Sequence, residues 1–326
     1  MTKRKFIHVL IGVCVSLSAC STSSETVETG NWIRRSSYEG VGRSGAVTFV
    51  IGERAYVGLG YDGDDYLTDF WSYNPDEDFW RRIADFPGSG RTSAVAFAVG
   101  EKGYLGTGYD GSDELNDFWE YDTTTDTWNQ LDDFPGSQRL AAVGFALNGK
   151  GYLGSGYDGN YLKDFWEFDP AENTWTQIVS YKGEKRRDAV SFVIDDIAYV
   201  GTGTNNGLYE LDFWKFDAAI PDWLRNLDLD ESDDYSITRE KAVAFALDGY
   251  GYITTGVFSS NLNTTWQYDP AQDLWKEMTG FEGIARQGAV AFTVGGRSFV
   301  ALGSNSSSRF DDIWEFKPNE LYNEDD

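Results

Sequence analysis

The sequence predicts an all-β protein, a six-bladed β-propeller, and three observations support this fold class. The first is a repeat of about 48 residues, which lies within the range of about 40–50 residues typical of propeller blades. The second is the recurrence of the same landmark residues in each repeat. The third is a spare outer segment near the N-terminus that matches one missing after the last repeat.

Each repeat opens with an arginine three positions ahead of an alanine. These arginines are Arg43, Arg91, Arg139, Arg186, Arg239 and Arg286. An aromatic residue four positions before a glycine follows, and then come two tryptophans nine residues apart, such as Trp119 and Trp128. The first of the two stands two positions after an aspartate in every repeat but one, where Thr264 replaces it. Short apolar runs between turn residues predict four antiparallel strands per repeat, in the second at 94–99, 103–108, 117–122 and around Trp128.

The two ends of the chain complete each other. After Trp314 no partner tryptophan follows, whereas Trp32 stands eleven residues before Arg43, the interval that also separates Trp80 from Arg91. We therefore expect the N-terminal segment to supply the outer strand of the last blade. Such closure removes the unpaired sheet edges that an open array of blades would expose.

With these landmarks the chain resembles the Kelch-repeat family, in which an arginine, an aromatic residue before a glycine pair, and Asp-x-Trp recur in each blade. The resemblance covers residues 31–318. It departs from the family in one respect, because the first glycine of the pair is replaced in all six repeats. The replacing residues are Leu59, Thr107, Ser155, Thr202, Thr255 and Leu302.

The N-terminus has the layout of an export signal. Three basic residues precede an apolar run that is too short to span a bilayer, and Leu17-Ser18-Ala19-Cys20 follows. This tetrapeptide resembles a bacterial lipobox, which implies cleavage before Cys20 and its acylation with fatty acids such as palmitate. The alternative is an ordinary signal peptide with an incidental cysteine.

The predicted organisation is a signal peptide at 1–19, a lipidated flexible tether at 20–30, the propeller at 31–318 and an acidic tail at 319–326. The resemblance places the protein in the cell envelope, on the outer membrane, with its periplasmic or surface face left open. The chain has 53 acidic and 27 basic residues. Since nucleic-acid binding requires Lys and Arg against phosphates, this balance argues against such a partner. We expect the protein to be a monomer whose only attachment to the membrane is its lipid anchor.

Loss of the signal would also remove His8 and Cys14, and Cys20 would carry lipid, so the mature domain would contain no histidine and no free cysteine. That excludes His-dependent nucleophilic catalysis and His-rich metal sites. It also excludes the copper chemistry of galactose oxidase, which such propellers resemble. No cofactor is predicted. A calcium site in the acidic insertion at 228–234, or at Asp62, Asp64 and Asp65, remains an alternative to solvated loops.

The repeat places one group of loops around one end of the channel. The six arginines begin the innermost strands there, and the loops between the second and third strands lie on the same face. The candidate ligand-binding residues are the six arginines together with Tyr61, Asp62, Tyr109, Asp110, Tyr157 and Asp158. Blades 4 to 6 carry amides and hydroxyls in these loops instead. The arginines have a structural alternative, which is pairing with nearby aspartates.

Two functions are compatible with these residues. In the first, which we favour, the propeller is a non-catalytic module that binds a protein segment, a glycan or another acidic ligand at the mouth. In the second, it is a sugar mutarotase or epimerase, as its similarity to Kelch-type periplasmic sialic acid mutarotases implies. The aspartates beside arginine would then move protons. No catalytic residue can be assigned from a motif.

Overall fold

The computed structural model describes residues 29–229 and 237–325 of the chain. In this part the strands form six four-stranded antiparallel sheets, the blades, and two small hairpins. The predicted six-bladed β-propeller is confirmed. No helix in the described part is long and apolar enough to cross a membrane. The signal, Cys20 and most of the tether predicted from the sequence lie outside the described residues.

The strands follow the repeat. Strand β1 (Thr29–Arg34) precedes blade 1, which contains β2 (Val47–Ile51), β3 (Arg54–Gly58), β4 (Phe70–Asn74) and β5 (Phe79–Arg82). Blade 2 contains β6 (Val95–Val99), β7 (Lys102–Gly106), β8 (Phe118–Asp122) and β9 (Thr127–Gln130). Blade 3 contains β10 (Val143–Leu147), β11 (Lys150–Gly154), β12 (Phe165–Asp169) and β13 (Thr174–Ile178).

Blades 4 and 5 each carry an extra hairpin. Blade 4 contains β14 (Val190–Ile194), β15 (Ile197–Gly201), β18 (Trp214–Asp217) and β19 (Asp222–Arg225), with the hairpin β16 (Thr204–Asn205) and β17 (Leu208–Tyr209). Blade 5 contains β20 (Val243–Leu247), β21 (Tyr250–Thr254), β24 (Thr265–Asp269) and β25 (Leu274–Met278), with the hairpin β22 (Val257–Phe258) and β23 (Ser260–Asn261). Blade 6 contains β26 (Val290–Val294), β27 (Arg297–Ala301) and β28 (Ile313–Leu321).

The N-terminal strand completes blade 6, as the sequence predicts. Strand β1 pairs antiparallel with β28, with Trp32 opposite Phe316. The Trp32 side chain is fully buried and its ring centre lies 4.5 Å from that of Phe316 and 5.0 Å from that of Phe281. Strand β28 continues to Leu321, so the first residues of the predicted acidic tail belong to the sheet.

The hydrophobic core lies between neighbouring blades. In each innermost strand alternate residues are buried, because side chains along a strand point to opposite faces. Phe49 of blade 1 stacks on Tyr56 with ring centres 5.1 Å apart. The ring centre of Tyr121, in blade 2, lies 6.2 Å from that of Phe49. The apolar face of each blade is therefore buried against the next blade. The stability of the fold depends on this stacking being complete around the ring.

The closing seam contains a buried carboxylate surrounded by three cations. Glu315 of β28 is fully buried and accepts hydrogen bonds from Arg35 at 2.8 Å and Arg297 at 2.6 Å, and it also pairs with Lys317. Burial alone would raise the pKa of Glu315, but the hydrogen bonds from Arg297, Lys317 and Arg35 outweigh it and lower the pKa to about 2. The ionised side chain thus joins β1, β27 and β28.

Replacing this carboxylate is expected to destabilise the protein in a pH-dependent way. Because the pKa of Glu315 falls from 4.5 to about 2 on folding, its ionised form contributes about 3 kcal/mol above pH 4.5, and the contribution is lost as the pH falls through 2. Urea unfolding of Glu315→Gln should show this loss at pH 7 and less than about half of it at pH 3.

Glu120→Gln is the matched control, since Glu120 occupies the corresponding position in blade 2 and pairs with one cation, Lys102, which is 42% exposed. We expect it to cost under about 1 kcal/mol at pH 7. Equal losses in the two variants, or a loss in Glu315→Gln that does not change with pH, would contradict this role of the seam.

Candidate functional site at the channel mouth

The six repeat arginines are buried inside the blades. Each has no more than 1% of its side chain exposed, and none of them lines the cavity at the channel mouth. In blade 2, Arg91 donates from its two terminal nitrogens to both carboxylate oxygens of Asp117 at 2.5 and 2.8 Å. Trp119 donates to the same carboxylate at 2.7 Å, and the guanidinium carbon lies 5.0 Å from the centre of the Phe86 ring. Arginine, Asp-x-Trp and a ring therefore form one structural unit.

The unit recurs in five blades. The ion pairs are Arg43–Asp69, Arg91–Asp117, Arg139–Asp164, Arg186–Asp212 and Arg286–Asp312. In blade 5, where Thr264 replaces the aspartate, Arg239 donates to the hydroxyl and the carbonyl of that threonine at 2.9 and 3.1 Å. The arginines thus make the structural contacts that the sequence analysis gave as the alternative to ligand binding, which is pairing with nearby aspartates. A ligand role for these arginines stays a prediction, and it would have to act through their neighbours.

The replaced glycines belong to the same unit. All six replacing residues adopt left-handed φ values between 56° and 63°, a conformation that costs roughly 1–2 kcal/mol outside glycine. In this conformation Thr107, for example, presents its carbonyl oxygen to Arg91 at 3.1 Å. The hydrogen bond to a buried guanidinium explains why the backbone keeps this conformation without glycine.

The residues two positions after the arginines form a closed ring of backbone hydrogen bonds around the channel. They are Gly45, Ser93, Ala141, Asp188, Lys241 and Gly288. The amide of each donates to the carbonyl of its neighbour in the adjacent blade, at 2.8 to 3.2 Å, and all six have φ between 53° and 64°. Because the backbone is fixed in this way, the side chains at these positions decide the chemistry of the mouth.

A cavity of about 410 Å³ lies over this ring. Two adjacent ring positions bring charge to it, Asp188 and Lys241. The Asp188 side chain is only 10% exposed and lies 3.3 Å from the Arg187 guanidinium. Burial raises the pKa of Asp188 to about 6, although the nearby cations of Lys241 and Arg187 oppose the shift and Glu240 adds to it.

A further cation lines the cavity from blade 6. The guanidinium carbon of Arg309 lies 5.5 Å from the centre of the Tyr61 ring, and its Nε is buried without a hydrogen-bond partner among the described residues. Tyr61 in turn packs on Tyr66, with ring centres 4.8 Å apart, and both rings line the cavity. Serine and threonine side chains, including Ser44 and Thr92, complete the wall.

The predicted tyrosines lie on this face, but their hydroxyls are used within their own loops. Tyr61 donates to Gly63 at 2.5 Å and Tyr109 donates to Gly111 at 2.8 Å. Tyr157 instead packs under Arg187, whose guanidinium carbon lies 5.3 Å from the ring centre. Of the predicted tyrosines, Tyr61 reaches the cavity wall.

The predicted aspartates fold their loops. Asp62 accepts from the amides of Asp64 and Asp65 at 2.9 and 2.8 Å. Asp110 and Asp158 accept from loop amides in the same way, at 2.9 to 3.0 Å. These carboxylates therefore set the loop shapes around the mouth. The described residues contain no group of three or more acidic, His or Cys side chains placed to hold a metal ion. Most of the insertion at 228–234 lies outside the described residues.

The sequence analysis missed Asp188, Lys241, Arg309 and Tyr66. A signal for the first two was present in the sequence. They stand two positions after the repeat arginine, where the other four blades have glycine, serine or alanine. Arg309 carried no such signal, since it stands in an irregular loop after β27. Its approach to Tyr61 depends on the contact between the last and the first blade, which only ring closure creates.

The comparisons with known proteins agree with this architecture. The family model of the KLHDC2/KLHL20/DRC7 Kelch-repeats domain matches residues 26–203. Among solved structures, "Structure of YjhT" is similar with a TM-score of 0.73 and 16% sequence identity, over 85% of this chain and 96% of that chain. At this identity the similarity shows the fold alone. The search of curated proteins gave no match. The chain therefore belongs to the Kelch-repeat family and folds as a six-bladed propeller of that family.

Proposed function

We propose that the protein is a lipid-anchored component of the cell envelope whose propeller binds an acidic glycan at the channel mouth. The observation that carries the proposal is Arg309, a cation in the cavity wall that forms no ion pair among residues 29–229 and 237–325. Its Nε is closed to solvent, but its terminal nitrogens can donate charge-assisted hydrogen bonds to the carboxylate of a ligand in the cavity.

The size and lining of the cavity support a sugar-sized ligand. A volume of about 410 Å³ falls in the usual range of small-molecule sites, roughly 300–1,000 Å³. Tyr61 and Tyr66 give the wall an aromatic part that suits the apolar side of a sugar. The hydroxyl of Ser44 can bond to its polar edge, and that of Thr92, which donates to the Gly45 carbonyl at 3.2 Å, can still accept. Lys241 provides a second cation from blade 5, the blade next to the one that carries Arg309.

The test is a thermal-shift measurement on protein that begins at residue 27. Glucuronic acid, N-acetylneuraminic acid, glucose and a short acidic peptide are added at low and at high salt. A ligand at 100 times its Kd adds about 2.7 kcal/mol of stability, which raises the Tm of a domain of this size by roughly 4–5 °C. We expect the acidic sugars to raise the Tm and glucose to have little effect.

Arg309→Ala should abolish this shift while leaving the Tm of the free protein nearly unchanged, because within the described part of the chain the side chain packs on Tyr61 without forming an ion pair, so its removal leaves no charge unmatched. Arg81→Ala, an exposed arginine on β5, is the matched control and should keep the full shift. A full shift in Arg309→Ala, or a shift with the peptide alone, would contradict sugar binding and favour a protein partner.

A second candidate function, sugar mutarotation or epimerisation, is favoured by Asp188. A carboxyl group with a pKa of about 6 can both accept and donate a proton near neutral pH, as ring opening at an anomeric carbon requires. If Asp188 acts as the base, NMR exchange between the anomers of a bound acidic sugar should accelerate as the pH rises through 6. Asp188→Asn should then reduce the catalysed rate by about 10²-fold or more while the thermal shift remains. An unchanged rate would exclude Asp188 as the base.

A further inference from the structure

The two faces of the propeller differ in what they carry. The channel mouth lies on the face that holds the loops after β3 and β27, which contribute Tyr61, Tyr66 and Arg309. The opposite face holds the two-residue turns between the first and second strands of each blade and the turns between the third and fourth strands. Because neighbouring strands in a blade are antiparallel, a chain that enters at the start of an outermost strand enters on this opposite face.

The N-terminal strand enters in that position. Thr29 pairs with Leu321 at the end of β28, and at the outer rim the Thr29 carbonyl accepts from the amide of Thr279 at 3.0 Å, in the segment that follows the outermost strand of blade 5. Arg34, at the other end of β1, lies opposite Trp314 near the start of β28. The residue that connects to the predicted tether therefore lies at the outer rim, at the end of β28 that is away from the mouth; we call this side of the propeller the tether face.

We propose that the anchored protein lies with this tether face towards the membrane, so that the channel mouth points away from the lipid surface. The proposal rests on the lipid anchor at Cys20 that forms part of the proposed function. It identifies the side from which the ligand arrives, because a partner or glycan outside the membrane can enter the mouth directly.

The available chain length favours this orientation. Residues 20–28 separate Cys20 from Thr29 and reach at most about 30 Å when fully extended. To turn the mouth towards the lipid, the chain would have to run along the blade edge, over roughly 17 Å of a five-residue strand and the loops at both of its ends. That path uses most of the reach.

Charge keeps the tether face from lying flat on lipid. Its turns carry exposed acidic residues around the ring, namely Glu53, Glu77, Glu101, Glu172, Asp195 and Asp248. Against an anionic lipid surface these charges repel over about a Debye length, roughly 8 Å at physiological salt. The expected arrangement is a propeller held close to the membrane by its tether without docking onto it.

The test uses the full chain, expressed in a bacterium, lipidated and reconstituted into vesicles of neutral and anionic phospholipid. A fluorophore is attached to one of two introduced cysteines in blade 2, Ser112→Cys on the mouth face and Thr124→Cys on the tether face, both at exposed positions. Lipids with a nitroxide headgroup then quench the fluorophore according to its distance from the surface. We expect quenching at position 124 to exceed that at position 112 at least twofold.

Equal quenching, which indicates an edge-on protein, or stronger quenching at position 112 would overturn the proposal. The unsubstituted chain is the control. If Cys20 is acylated and Cys14 removed, it takes up no fluorophore, and the mass of its N-terminal peptide includes the acyl chains. An unmodified N-terminus would also overturn the proposed orientation. The thermal-shift result would still decide glycan binding, since that experiment uses protein without the anchor.

Discussion

Protein that begins at residue 37, and so lacks β1, is expected to lose most of its stability. Trp32 is fully buried between Phe281 and Phe316, and removing a buried tryptophan alone costs about 3–5 kcal/mol. Loss of the strand also exposes the edge of β28, which then offers unpaired backbone groups to other chains. The combined effect should exceed about 5 kcal/mol, which lowers the Tm of a domain of this size by more than about 8 °C.

Calorimetry would compare this protein with one that begins at residue 27 and keeps β1 whole. Light scattering at the same concentrations should show aggregation of the shorter protein. A synthetic peptide of residues 27–36 should restore stability when added separately, because it can pair with β28. An unchanged Tm in the shorter protein would mean that β1 does not close the ring in solution.

Arg91→Ala is expected to destabilise the protein by about 3–5 kcal/mol. The side chain is 1% exposed, its partner Asp117 is 22% exposed, and the Thr107 carbonyl also depends on it. Removing one partner of a buried pair leaves the other charge desolvated and unmatched, which is costlier than losing the attraction itself. Guanidinium unfolding at neutral pH measures the loss.

Arg82→Ala provides the comparison, because Arg82 pairs with Asp85 on the surface with side chains 58% and 46% exposed. Exposed pairs contribute about 0–1 kcal/mol, so this variant should unfold near the unsubstituted protein. If Arg91→Ala were as stable as Arg82→Ala but failed to bind an acidic sugar, the arginine would be a ligand residue, contrary to its buried position. Loss of both properties together would reflect damage to the blade.

The fold was predictable because a propeller blade repeats its packing. Each copy of the arginine, the Asp-x-Trp and the later tryptophan must make the same contacts, and so the pattern is visible in all six repeats, with Thr264 as the one replacement of the aspartate. Even the closure by Trp32 followed from counting intervals. Strand boundaries shifted by a few residues only, as at β28, where pairing with β1 continues to Leu321.

The site was predictable only in its location. Sequence spacing placed the arginines and the tyrosine loops on one face, but it did not show how far each side chain lies from solvent. Asp117 satisfies Arg91 within the blade, and Asp62 satisfies the amides of its own loop. Whether a polar residue faces a ligand or its own backbone depends on distances that the repeat pattern does not contain.

The repeat, the blade count, the closure and the face of the mouth could be predicted from the sequence, because they follow from periodic packing. Which residues form the cavity depends on the folded ring. Asp188 and Lys241 acquire their role from the backbone ring that six blades build together, and Arg309 meets Tyr61 only because blade 6 closes against blade 1. Such contacts between the ends of the chain arise from ring closure, and local sequence cannot encode them.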